Sequence, residues 1–408
     1  MSGDLGPSEV SLRRVLSLPL LPLYGVGTIV GAGSYALLGE VAGLAGTAAP
    51  TAVLLAGVVA LFSALSFAEL SIRYPESGGP ARYAEAAFDS VVLVRITGVL
   101  VIFTGVVSAA ALARAVGRFL VDLDCVSAVV PIVVTMFALS AVAALGVRAS
   151  GMLAAAATVL EVGVLVAIPF LRADVLPAVA KRAHELAPGP HAPWSGVFLG
   201  TFPVFYAFVG FEDRVTLAEE VENPRRNVPR AILTALLVTT SLYAGVAVVA
   251  VIAVEPDRLA REASPLALLV GVRGAALRPA VVWVGVLAGL NGALIQIVMA
   301  ARILRGMRTA RGPLAWLGAV DWRTRTPLRA TVVAGFVVLA LAFPLVLLAS
   351  WPSAVLLLVF AAVNAALVVV SGREPRTSGF RCPRWVPGVG VALCLGLLSV
   401  ELVRALVT

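Results

Sequence analysis

Charge is scarce in this sequence. Of 408 residues only 13% are Asp, Glu, Lys or Arg against 60% hydrophobic, and the mean hydropathy is +1.00, a balance that domains surrounded by water do not show. Lysine occurs once, as Lys181, with no glycine-rich loop before it, which excludes the phosphate-cradling loop of a nucleotide hydrolase. The two histidines, His184 and His191, share one polar connecting segment. The apolar runs therefore hold no imidazole for a metal or for acid–base catalysis, and neither a zinc HExxH motif nor a nucleophile elbow is present. Three cysteines, Cys125, Cys382 and Cys394, are too few and too scattered for a disulfide framework or a metal cluster and read as packing residues. Neither enzymatic chemistry nor a cofactor is expected.

What the chain does hold is a series of apolar runs. A bilayer core is roughly 30 Å thick and needs about 20 mostly apolar residues per helix. Runs bounded by Arg, Pro or acidic residues place eleven spans near 20–43, 50–72, 92–117, 127–146, 150–171, 197–219, 230–254, 279–303, 330–349, 353–371 and 386–407. The formal charge of +8 and pI of about 10.1 then report topology rather than a nucleic-acid partner. With the N-terminus inside, twenty basic residues fall on the cytoplasmic side and ten on the other, with Arg214 inside span six, as the positive-inside rule requires. The Arg-rich loop from Arg302 to Arg329 is covered by that rule, though contact with anionic lipid headgroups is open to it as well. The Arg13-Arg14 pair before the first apolar run is compatible with a signal peptide, but the run continues without a small-residue cleavage site, so an uncleaved first helix in the inner membrane is expected.

Spans one to five and six to ten form halves of similar length, and five is odd, so the second half runs inverted relative to the first. In inverted-repeat carriers the binding site lies where the first helix of each half breaks at mid-membrane. The expected organisation is a tail at 1–19, a ten-helix core at 20–371 with repeats at 20–171 and 197–371, and a loop with one extra helix at 372–408. Both breaks are visible. Span one carries four glycines between Gly25 and Gly33, and span six carries Pro203 followed by Phe208-Val209-Gly210-Phe211. Each glycine weakens a helix by about 1 kcal/mol, although glycines also serve as close-packing faces between membrane helices. An unwound turn exposes N–H groups at the start of the next half-helix and C=O groups at the end of the previous one. A zwitterion satisfies both: its carboxylate takes the amides around Ala32, Gly33 and Ser34, and its ammonium the carbonyls near Ile29 and from Tyr206 to Phe208. Half-helix dipoles assist at each end.

The segments YGVGTIVGAG, SALSFAELSIRYPESGGPARYAEAAF, FYAFVGFEDRVTLAEEVENPRRNVPRAI and AARILRGMRTARGPLAWLGAVDWRTRTPLRA resemble signature segments of amino acid permeases. These belong to the amino acid, polyamine and organocation transporter superfamily. The resemblance runs from about Leu20 to Arg329 and is most specific in span six. It implies an all-α, leucine-transporter-like fold of two inverted five-helix repeats, working by alternating access around an amino acid held at the breaks of helices one and six. The substrate contacts it implies are Ile29, Val30, Gly31, Ala32, Gly33, Ser34, Tyr206, Ala207, Phe208, Gly210 and Phe211, with Tyr206 as an aromatic gate and Glu212 at the acidic position after the break. Two departures stand out. The chain has eleven spans where many relatives have twelve, and Ser34-Tyr35 replaces the more usual branched aliphatic and Phe.

Glu161, near the middle of span five, is ionisable where charge is expensive. By resemblance it occupies the position at which some proton-coupled relatives place a lysine in lieu of sodium. Proton coupling through Glu161 and Glu212, a permanently protonated Glu161 bonding between helices, and direct substrate contact are all compatible with it. Span eight contains no Ser or Thr, hydroxyls that sodium-coupled members of this fold use as ligands. Its polar side chains Asn291 and Gln296 read as helix–helix partners or ligands. Arg214 is expected to pair with Glu212 or Asp213. Glu219, Glu220, Glu222, Arg225 and Arg226, like Glu69 and Arg73, read as gate pairs or solvated charge. Proton-coupled amino acid symport is the favoured function, with exchange of amino acids or polyamines next and a transport-inactive sensor or channel as the rival from another class. The partners implied are an amino acid, protons and membrane lipids.

Overall fold

The computed structural model describes residues 20–121, 129–189, 194–262, 264–274, 277–306, 319–321, 326–342, 351–373 and 379–407. The Arg13-Arg14 pair, Cys125, His191 and Arg308, Arg311, Arg323 and Arg325 of the Arg-rich loop lie outside these residues, as do the side chains from Ala32 to Ala36. No strand occurs among the described residues. Eight helices are long and apolar enough to cross a membrane, and three shorter apolar helices, Leu21–Val30, Val133–Ala144 and Leu328–Val338, accompany them. Long helices that are apolar all round, as these are, suit a hydrocarbon solvent.

Helix occupies the described part of each expected span; 127–128 of the fourth and 343–349 of the ninth lie outside the described residues. The first is divided into α1 (Leu20–Val30) and α2 (Ala32–Ala45), and α3 is Ala49–Arg73. A short helix absent from the expectation, α4 (Pro80–Phe88), precedes α5 (Val91–Val121), α6 (Val129–Ala144) and α7 (Val147–Leu171). After the short α8 (Leu176–Lys181), the sixth span is divided into α9 (Trp194–Phe208) and α10 (Asp213–Thr216). Helix α11 (Pro224–Ala253) leads into two more short helices, α12 (Pro256–Arg261) and α13 (Pro265–Gly271). The remaining four are α14 (Leu277–Gly306), α15 (Leu328–Ala342), α16 (Trp351–Arg373) and α17 (Val386–Val407).

The divided spans lie at the centre. Helix α1 packs on α7, α11 and α14, while α2 and α3 pack on α9, and α3 lies along α11. Small residues permit this approach: the guanidinium of Arg214 occupies the space beside Gly25, where a Cβ would fall 1.6 Å from its Nε, and Thr158 Oγ1 lies 1.9 Å from where a Cβ on Gly27 would sit. Aromatic rings fix the second break from the other side. Phe211 meets Phe67 of α3 at 5.7 Å and Phe360 of α16 at 5.1 Å between centroids, separations at which ring pairs contribute beyond their buried area.

Both ends of the bundle are tied by charge. Where α3 and α14 end, Arg302 and Glu220 form a fully buried pair at 3.1 Å, Arg305 pairs with Glu219 at 3.0 Å, and Glu219 also accepts the Ser77 N–H at 2.9 Å. Arg73 pairs with Glu69 at 2.7 Å, and the same carboxylate accepts the Cys382 N–H at 2.9 Å and its thiol at 3.2 Å. Cys382 is therefore more than packing: burial and the Glu69 carboxylate push its thiol up to about 12, which makes it a poor nucleophile. At the opposite end Arg172 donates to Leu269 O at 3.2 Å, and Arg273 donates to Leu171 O and pairs with Asp174, both at 2.8 Å.

Candidate functional site

The local sequence explains where each divided span stops. Helix α1 runs through Gly25 and Gly27 and ends at Val30, and Gly31 alone separates it from α2 with ψ −174. In the sixth span Pro203 is accommodated inside α9, and the chain leaves the helix only after Phe208. Gly210 makes that exit possible. Its φ is +118, a backbone region that residues with a Cβ rarely adopt, and a Cβ there would lie 2.9 Å from Thr28 Cβ and O. The two breaks thus touch at Thr28 and Gly210.

The Glu212 carboxylate caps the second break by accepting the Gly210 N–H at 2.8 Å. Arg214 is fully buried, and its Nη1 donates to Phe211 O at 2.8 Å while Nε and Nη2 have no hydrogen-bond partner among the described residues. The ion pair expected between Arg214 and Glu212 or Asp213 is not formed among the described residues. Side chains one and two positions apart on so short a turn diverge, and each group finds another partner. For Asp213 that partner is Gln296 of α14, which donates to Oδ2 at 3.2 Å.

Between the breaks lies a small pocket, with ≈ 420 Å³ of atom-free space when the solvent at its mouth is included. Thr28 and Ile29 of α1 line it with Gly31 at the break, facing Tyr206 and Ala207 of α9 and Val209 just beyond. Ser108 and Leu112 of α5 and Gly292 and Gln296 of α14 complete the wall. Tyr206 Oη donates to Ser108 Oγ at 2.9 Å, bracing that wall.

Of the residues singled out in the sequence, Ile29, Gly31, Tyr206 and Ala207 come together on the pocket. The backbone of Ala32, Gly33 and Ser34 forms the first turn of α2. Val30 is fully buried. Phe208 packs on Tyr243 at 5.5 Å between rings and Phe211 enters the aromatic cluster, so both have packing partners away from the pocket wall. Gly210 shapes the break. Glu161 sits apart from the pocket, accepting from Asn291 Nδ2 at 2.9 Å, and the same nitrogen lies 3.4 Å from Thr158 Oγ1. Asn291 and Gln296 are both helix–helix partners, and Gln296 also reaches the pocket. Sequence reading did not single out Ser108, Leu112 or Tyr243. Nothing local marks them, since each is an ordinary residue of a long apolar helix until the breaks come to face it.

An all-helical membrane protein with two interrupted spans closing on one central pocket belongs to the class of membrane transport proteins. The chain belongs to the amino acid permease family, whose match extends over residues 21–404. It is a multi-pass protein of amino acid transport, not an enzyme. An uncharacterised transporter of Mycobacterium tuberculosis (strain ATCC 25618 / H37Rv) is 32% identical over 409 residues, covering 97% of this chain and 89% of that protein. The branched-chain amino acid permease BcaP of Bacillus subtilis is 26% identical over 98% of this chain and 91% of its own length. Cationic amino acid transporter 3, mitochondrial, of Arabidopsis thaliana is 29% identical over 81% of this chain and 58% of its own length.

Proposed function

We propose that this protein moves amino acids across the cytoplasmic membrane by alternating access, with protons as the coupling ion and the N-terminus in the cytoplasm. The core in this reading is two inverted repeats, 20–171 and 197–371, preceded by the tail 1–19 and followed by the extra helix of 372–408. The observation that carries it is the pocket between the two backbone interruptions. Substrate carboxylate binds the amides that open α2, around Ala32, Gly33 and Ser34, where the half-helix dipole is positive. Substrate ammonium binds carbonyls that close α1 and α9, where it is negative. Ile29, Leu112, Ala207 and Val209 surround the substrate side chain with apolar wall, and Ser108, Tyr206 and Gln296 add polar groups.

Two carboxyl groups serve the proton. Glu161 accepts from Asn291 between α7 and α14 and, by resemblance, stands where some proton-coupled relatives place a lysine in lieu of sodium. Glu212 holds the Gly210 N–H, so protonating it weakens the acceptor that shapes the second break. Reconstitution into proteoliposomes tests the reading. Saturable uptake of a labelled amino acid, driven by an imposed proton gradient, is expected. Uptake that only unlabelled amino acid on the far side accelerates identifies an obligate exchanger, and binding without flux identifies a sensor.

A further inference from the structure

Three arginines are buried among the described residues, Arg172, Arg214 and Arg302. Arg172 lies 3.4 Å from Asp174 and Arg302 3.1 Å from Glu220, whereas Arg214 has no carboxylate within ion-pair distance among the described residues. Its Nη1 donates to Phe211 O, and Nε and Nη2 meet no acceptor there. The two acids beside it in the chain are engaged elsewhere, Glu212 with the Gly210 N–H and Asp213 with Gln296. What the guanidinium does touch is Gly25 of α1: Nε, Cζ and Nη2 fill the place of the missing side chain.

A cation that offers two N–H groups to no acceptor is costly away from water. That cost belongs to one arrangement of the helices. Gly25 lies on α1, before the first break, and Arg214 on α10, after the second. With the N-terminus in the cytoplasm, both half-spans stand between the pocket and the cytoplasmic face, so opening the pocket inward separates α1 from α10. Separation uncovers Nε and Nη2, and water then supplies their acceptors. The closed arrangement alone carries the penalty, and a ligand-free equilibrium shifts by whatever free energy distinguishes its two states.

We propose that Arg214 is a positioning residue for α1, a wedge whose unmet donors destabilise the closed cytoplasmic side and so favour inward opening and substrate release. It acts through Gly25, since only a residue without a side chain leaves room for the guanidinium under α1 when the two half-spans are together. The inference rests on the alternating-access reading above.

Arg214→Met removes the charge and keeps an apolar chain of similar length against Gly25. Two measurements on the full chain test the wedge, with Cys125, Cys382 and Cys394 changed to Ala. The first is Tm, which is expected to rise in Arg214→Met because an unpaired buried charge gives way to an apolar group. A merely structural role for Arg214 gives the opposite sign. The second is the rate at which a membrane-impermeant maleimide labels Leu21→Cys in inside-out vesicles. Leu21 is 0% exposed and lies one turn before Gly25 on the same face of α1, so the reagent reaches it only when α1 moves. Adding Arg214→Met is expected to slow that labelling roughly tenfold. A lower Tm, or a variant that does not fold, overturns the proposal, and so does labelling that is unchanged or faster. If Leu21→Cys is never labelled in the folded protein, with or without the Arg214 change, yet reacts once unfolded, inward opening does not occur. Alternating access then falls, and this inference with it.

Discussion

Gly210 carries the most constrained backbone of the candidate site, because two demands converge on it. Its φ of +118 disfavours any Cβ, and Thr28 of the other break fills the space a Cβ needs. Gly210→Ala is expected to cost about 1–3 kcal/mol of stability and to weaken amino acid binding, read by thermal unfolding with and without substrate. Gly245→Ala is the matched control. It lies inside α11 with nothing within 4 Å of a Cβ, so the same change there is expected to be neutral or to stabilise by up to about 1 kcal/mol. Glu161 is tested by a thermodynamic readout rather than a rate. One pH unit sustains about a tenfold concentration ratio for a one-proton symporter, and Glu161→Gln is expected to bring the steady-state ratio down to about one. A ratio equal to wild type removes Glu161 from the coupling mechanism.

Among the elements, the most deeply buried ion pair of the described residues joins α14 to the short segment after α10. Arg302 and Glu220 are 0% and 1% exposed and bond through two nitrogen–oxygen contacts. A buried pair of this kind is weak evidence for net stability against an apolar replacement, but removing one partner leaves an uncompensated buried charge at a cost of roughly 3–5 kcal/mol. Arg302→Ala is therefore expected to lower Tm strongly, and Arg302→Ala with Glu220→Ala to recover a large part of the loss. If the double variant is no more stable than the single, the charge left behind is not the source of the penalty. The position of this pair, beside the second break and the end of α14, makes it a natural closure of the face where α3 ends.

On the scale of the whole molecule, the last helix is attached through polar groups as well as apolar ones. Asn364 of α16 donates to Ser63 Oγ at 3.0 Å and accepts from Ser66 Oγ at 2.6 Å, while Ser63 also lies 3.5 Å from Cys394 Sγ of α17. Gly390 of α17 packs directly on the Asn364 amide, with a Cβ position 2.4 Å from Oδ1. Asn364→Leu leaves two buried hydroxyls without this partner, a cost of about 1–3 kcal/mol each at most, and is expected to loosen α17. Faster alkylation of Cys394, which is 0% exposed, is the readout, and an unchanged rate means that apolar packing alone seats the helix.

The apolar runs and the places where two of them break were legible from the chain itself, because both depend on local causes. Hydrocarbon demands some twenty apolar residues per crossing, and Gly31 and Gly210 relax the backbone wherever they fall. The charge pairs at Glu69, Glu219 and Glu220 were legible as a class, and their partners only in part. Which groups answer the open breaks was decided by the tertiary structure. Phe211 went to an aromatic cluster with Phe67 and Phe360, Arg214 to Phe211 O instead of a neighbouring carboxylate, and Tyr243 to carbonyls at Ile29 and Ala207. The physical reason is range: helix formation and its interruption are set by neighbours along the chain, whereas the partner of a buried polar group is whatever the packing of distant helices brings within 3 Å or so.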